Sequence, residues 1–474
     1  MALALQGAHL GHHQLSDQPM SADNIARGLA LSQSVWDNKA ATRGVAGRRY
    51  GRTGFRVVQG RVANTVNAEG TYEMAFEVPA AFDEIAPIFA FGSTGNGLVI
   101  GNGAAGAGQA WNARALRNWS EAENNDPEGS VAGGGSIRRT TGPASFAVVA
   151  AASARRNYVK HTPVLLRSPA RNDGLPGAIV VFRTKVPAGA LMMFGDGVQS
   201  FANWSSKTDG HAWRSRFAAG ATDYSSTGNW GSFATTGAAA ASSVNPIVGY
   251  VARFRGKVVS VAIFGDSNAE GQATLIGNNW VVRACTLLTE QSGVIYLPSN
   301  MGWSGQGTAS ARIHVADGIA QGLIPDLALI PAGSPNDIST TITDALVNGD
   351  GQGAAGIRHQ VSSMETALDA AGVPLGIYTW GPSNTAIKNY GATDSLRRDY
   401  NDDIRARAQA GTPVFDIDRY MAGATVGGQV QINPDYESEG SAAIHWDDAG
   451  HERLKVPGAA FIKALAPANP GFVG

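Results

Sequence analysis

Cysteine is almost missing from this chain: Cys285 is the only one in 474 residues. A disulfide framework and every multi-cysteine metal site are thereby excluded. Charge is sparse as well, at 16% with a net of −1, which fits neither a Glu- and Lys-rich helical bundle nor a disordered acidic chain. No apolar run approaches the roughly 18 residues of a membrane helix, so no membrane span is expected. The opening residues MALALQGAHLGHHQLSDQPM lack the basic start and apolar core of a secretory signal. The expected location is extracellular, with the signal removed or another export route in use, or virion-associated. The GxSxG elbow of α/β-hydrolases is also absent from the whole chain, which argues against that fold.

What the chain does have is glycine, 60 residues of it, and an apolar fraction of 43%. Many tight turns and close backbone approaches are implied. The length exceeds the roughly 250 to 300 residues at which single cores stop growing, so two or more units are expected. The neutral total conceals a change of sign: residues 1–255 carry 24 basic and 16 acidic groups, a balance of +8, and the remainder carry 13 and 22, a balance of −9. Neither surface has the charge density that nucleic acid demands, and no nucleic-acid partner is expected.

Three segments follow from the patterning. Residues 1–50 read as an N-terminal anchor or linker, with a short helix placed by Ile25, Leu29, Leu31, Val35 and Trp36 and a basic cluster beginning at Arg43. His9, His12 and His13 could coordinate a metal between subunits but read first as a solvated tail, so no metal site is assigned. Residues 51–255 read as an all-β sandwich or jelly roll, because short apolar runs such as Phe55–Val58, Ile88–Phe91, Ala178–Phe182 and Leu191–Phe194 are separated by glycine-rich turns. Here Phe201, Trp204, Trp213, Phe217, Tyr224 and Trp230 are interleaved with polar residues, which suits a carbohydrate platform or, more plainly, sandwich core. Gly101, Gly103 and Gly106 match GxGxxG. No alternating βα pattern continues around them, so no dinucleotide cofactor is expected.

Residues 256–474 follow another grammar. Strand-like runs at Val258–Phe264, Val294–Leu297, Leu327–Ile330, Leu375–Trp380 and Val414–Ile417 alternate with helices. Ile357, Val361, Met364, Leu368 and Ala371 keep 4-3-4-3 spacing, Leu396, Tyr400, Ile404 and Ala408 keep spacing four, and a last helix is placed at about Gly450–Leu465. This pattern gives an α/β class, a doubly wound flavodoxin-like parallel sheet. Ligands bind beyond the carboxyl ends of such strands, and Ser267 occupies that place after the first strand.

GDSNAEGQ at 265–272, GWSGQGT at 302–308, GSPND at 333–337 and IHWDDAGH at 444–451 resemble, in order, the four blocks of the SGNH, or GDSL, hydrolases. The resemblance spans about 265–465. It implies Ser267 as nucleophile, His445 as base, and an oxyanion site made by the amides of Ser267 and Gly305 and the side chain of Asn336. No cofactor is implied. The aspartate usually found three residues before the histidine is replaced by Ala442. Three alternatives stay open: a backbone carbonyl near Ala442 orients the ring, Glu439 or another carboxylate substitutes, or the site has decayed. Asp447 and Asp448 lie on the other side of the histidine and are not expected to serve.

Together these features lead to a serine-dependent carbohydrate esterase, an O-deacetylase acting on a bacterial surface or cell-wall polysaccharide held by the β-domain. The rival reading is a capsule-binding spike or fibre protein of a phage-like particle with weak or no catalysis. Other virion or cell-surface proteins are expected partners of the N-terminal segment in that case, and a homo-oligomer is left open.

Overall fold

The computed structural model describes residues 52–58, 61–65, 70–92, 110–118, 138–141, 156–186, 191–194, 213–220, 247–271, 278–303, 305–338, 341–349, 356–384, 388–438 and 444–466. The N-terminal 50 residues, the GxGxxG run and four of the six interleaved aromatics lie outside them, while Trp213 and Phe217 fall on a strand.

The first half is built from antiparallel strands: β1 (Thr53–Val57), β2 (Arg61–Thr65), β3 (Gly70–Val78), β4 (Phe82–Gly92), β5 (Ala110–Leu116), β6 (Arg138–Thr141), β7 (Arg156–Lys160), β8 (Val164–Leu165), β9 (Ala178–Val186), β10 (Leu191–Phe194), β11 (Trp213–Ala219) and β12 (Ile247–Phe254). One sheet runs β1-β12-β4-β7 with β8 beside β4, and a second runs β11-β3-β9-β5-β6. They face each other across shared apolar residues. Phe76 of β3 meets Tyr250 of β12 edge-on at 5.3 Å between ring centroids, and Trp111 of β5 donates to His161 at 2.9 Å.

Three residues after β12 ends, the chain enters β13 (Val258–Gly265), the central strand of the second half. The helix α1 (Ser267–Glu270) follows, then α2 (Trp280–Ser292), β14 (Ile295–Gly302), α3 (Thr308–Ala320), β15 (Leu327–Pro331), α4 (Asp344–Asn348), α5 (Ile357–Ala370), β16 (Leu375–Tyr378), α6 (Asp394–Gln409), β17 (Val414–Phe415), α7 (Ile417–Met421), the hairpin β18 (Ala422–Val426) and β19 (Gln429–Ile432), and α8 (Asp448–Leu465). The sheet is parallel with order β14-β13-β15-β16-β17. Every residue of β13 is buried, as expected of a strand covered on both faces. Its alternate residues serve two cores: Val259, Val261 and Ile263 pack with α2 and α8, while Val258, Ala262 and Phe264 belong to the core shared with α3 and α5.

Ser260 alternates onto the same face as the second set, where its hydroxyl meets the N-terminal half. The edge strand β1 of the N-terminal half lies over this corner of the parallel sheet. Phe55 N donates to Ser260 Oγ at 3.2 Å, Val57 N donates to Ser299 Oγ at 3.1 Å, and Ser299 Oγ donates back to Phe55 O at 3.2 Å. An edge strand carries a row of outward backbone groups that must find partners when buried. Two serine hydroxyls on β13 and β14 supply them, and the apolar residues around them join both halves into one core.

Candidate active site

β13 ends in Gly265, whose φ is +149°. A Cβ there would stand 2.1 Å from Tyr378 Oη and 2.9 Å from Ala269 Cβ, so the turn from strand to helix needs glycine both for its backbone and for its room. Asp266 caps the following helix, with Oδ1 accepting from Asn268 N at 2.9 Å. Ser267 is thereby the first residue of α1, at the carboxyl edge of the sheet. His445 approaches from the segment before α8 and places Nε2 2.9 Å from Ser267 Oγ across 178 positions of sequence.

The segment after β14 is joined to this turn by Trp303 N donating to Gly265 O at 2.9 Å. Gly305 has φ +76° with nothing within 4 Å of an added Cβ, so its conformation rather than crowding calls for glycine. After β15 comes a single 3-10 turn, Pro335–Asp337, closed by a capping box: Ser334 Oγ accepts from Asn336 N at 3.1 Å and Asp337 Oδ2 accepts from Ser334 N at 2.9 Å. Asn336 Nδ2 donates to Gln306 O at 3.2 Å, which ties it to the Gly305 segment.

Two carboxylates, the buried Asp266 and the half-buried Asp337, link the three loops. Asp266 Oδ2 accepts from Ser334 Oγ at 2.5 Å, and Asp337 accepts from Thr308 N at 2.7 Å and from Thr308 Oγ1 at 2.5 Å. Burial pushes the Asp337 carboxyl up to about 6 against the hydrogen bonds from Thr308 and Ser334, with the Asp266 charge adding to the rise. Burial also raises Asp266, while Ser334, the backbone of the helix cap and the charge of His445 pull it back. A positive charge on His445 and a negative one on Asp266 therefore favour each other.

The structure brings Ser267 and His445 into hydrogen-bonding contact and joins Gly305 to Asn336 through Gln306. Asp447 Oδ1 accepts from Gly450 N at 2.8 Å as the cap of α8, and Asp448 pairs with Arg283. Ala442 and Glu439 lie outside the described residues. Sequence reasoning passed over Asp266, Asn268, Thr308, Ser334 and Asp337. The S-x-x-D spacing of Ser334 and Asp337 was a usable signal for the capping box; nothing local pointed to Asn268 or Thr308.

Residues 263–453 match the family model described as GDSL-like Lipase/Acylhydrolase. The C-terminal half belongs to the SGNH superfamily. No curated protein matches the chain. Solved structures similar to part of this chain include the lipase/acylhydrolase from Enterococcus faecalis, 16% identical, covering 45% of this chain and 100% of its own with a TM-score of 0.32. An α/β hydrolase from the metagenome of Lake Arreo, Spain, is 18% identical over 44% of this chain and 96% of its own, with a TM-score of 0.31. A catalytic mutant of an acetylxylan esterase from Geobacillus stearothermophilus is 16% identical over 44% and 94%, with a TM-score of 0.30. Among the described residues of the whole chain, no helix is long and apolar enough to cross a membrane and no group of three or more His, Cys, Asp or Glu is placed to hold a metal ion.

Proposed function

We propose that the protein is a serine esterase that removes O-acetyl groups from a bacterial surface or cell-wall polysaccharide. The observation that carries this reading is the 2.9 Å contact between His445 Nε2 and Ser267 Oγ, because a serine hydroxyl becomes an effective nucleophile only beside a base. His445 takes the Ser267 proton as Oγ attacks the acetyl carbonyl, and Asp266 favours the imidazolium that forms. The tetrahedral oxyanion is held by the amides of Ser267 and Gly305 and by Asn336. The Asn336 side-chain amide has two donor hydrogens, and only one is directed at Gln306 O. Collapse of the intermediate breaks the bond to the sugar oxygen, which takes the proton from His445. Water, deprotonated by the same histidine, then releases acetate from Ser267.

The polymeric character of the substrate is supported by the antiparallel half joined to the hydrolase sheet, and by its polar–aromatic segment between Phe201 and Trp230. Acetate release from acetylated polysaccharides by wild type, abolished in Ser267→Ala, is the expected result. Equal release by both proteins would sink the mechanism. Glycan binding that persists in Ser267→Ala, with no release by wild type, would select an adhesin instead.

A further inference from the structure

Asn268, one residue beyond the nucleophile, grips the chain on both sides of His445. Its Nδ2 donates to Ile444 O at 2.7 Å and its Oδ1 accepts from Trp446 N at 3.1 Å. One amide group thus spends a donor and an acceptor, on two separate atoms, on the two peptides flanking one residue, which an ionised carboxylate, an acceptor only, cannot do. Asn268 is buried, so water does not compete for these bonds. From the opposite edge, Ser438 N donates to His445 O at 3.2 Å and Asp447 N donates to Tyr436 O at 2.9 Å.

The helix that presents Asn268 is itself fixed. Asp266 caps its start, Asn279 Nδ2 donates to Ala269 O at 2.5 Å, and Asn300 Nδ2 donates to Glu270 O at 2.8 Å. Nucleophile and base therefore share one frame: Ser267 is in α1, and the two peptides that set the Cα–Cβ direction of His445 are bonded to the next residue of α1.

We propose that Asn268 is the positioning residue of the general base, holding His445 at Ser267 without touching substrate; the proposal rests on the esterase reading of that pair. A base displaced by about 1 Å loses on the order of 10²-fold in rate. Asn268→Ala is expected to lower kcat for acetate release by about that factor with KM within about twofold. In a His445→Ala background the same change is expected to cost nothing further, because the base it positions is gone. Asn268→Asp keeps the acceptor for Trp446 N, loses the donor to Ile444 O, and is expected to fall between wild type and alanine. An unchanged kcat in Asn268→Ala, or an equal loss with and without His445, would overturn the proposal.

A second readout needs no turnover. In protein labelled with ¹³C at the histidine rings, the His445 signal is identified by its loss in His445→Ala. That signal is expected to shift and broaden in Asn268→Ala, while the other eight of the nine histidines keep their positions. An unaltered His445 signal refutes the clamp. Should Asn268→Ala not fold, Asn268→Asp carries both measurements. Absence of Ser267-dependent hydrolysis in wild type would count against the esterase reading alone, and the ring spectra would then judge the clamp by themselves.

Discussion

Replacing Gly265 by alanine tests the turn that delivers Ser267, and Tyr378 makes the test quantitative. The backbone at φ +149° costs a side chain about 1–3 kcal/mol. The new Cβ also meets Tyr378 Oη at 2.1 Å. Tyr378 is buried and donates to Phe264 O, so pushing it aside costs about 1–3 kcal/mol more. Tyr378→Phe alone loses one hydrogen bond, about 0.5–1.5 kcal/mol. With the oxygen removed, the nearest ring atom is Cζ at 3.5 Å, an ordinary contact, and the Ala269 Cβ at 2.9 Å is unaffected. Gly265→Ala should therefore cost about 1–3 kcal/mol less in the Tyr378→Phe background than in wild type. Independent sites add to within roughly 0.5 kcal/mol. Urea midpoints of the four proteins, compared at a common m-value, measure the difference, and kcat should recover in the double variant along with stability. Additive costs would refute the packing argument for Gly265.

Two further outcomes are expected. Asn336→Ala should lower kcat by about 10²- to 10³-fold with little change in KM, as for loss of one oxyanion donor; a change confined to KM would remove Asn336 from the oxyanion site. Burial holds the His161 imidazole down at about 4 and that of His451 at about 3, from an ordinary 6.5. Above pH 6.5 both are neutral whether the chain is folded or not, and their full stabilising effect is present. As pH falls below 6.5 the unfolded chain takes up protons that the folded one refuses, so stability declines by up to about 1.4 kcal/mol per pH unit for each histidine. The decline should be shallower in His161→Gln between pH 6 and 4.5, measured by urea unfolding at each pH; an identical slope would refute the assignment.

Much of this arrangement was legible in advance, and the exceptions have a common cause. β13 could be read because a strand covered on both faces is apolar along most of its length, Ser260 aside, and α5 because one face of it is. The second part of β14, Pro298–Gly302, could not, since Ser299 turns to β1 and Asn300 to Glu270 O. The hairpin β18–β19 was missed because much of β18 is exposed and gives no apolar period; its Gly427-Gly428 turn was the available sign. At the site, Ser267 and His445, which the structure brings into contact, were singled out through their blocks. Asn268 was not, because the groups that give it a role lie 176 and 178 positions away.

The two serines under β1 bear on modularity. A hydrolase domain cut free near residue 256 would lay bare Val258, Ala262, Ile295 and Leu297, which in the intact chain share a core with the other half. The N-terminal half is then no pendant appendage that recombination can exchange at will. Any replacement would have to offer an edge strand whose outward amides meet the hydroxyls of Ser260 and Ser299.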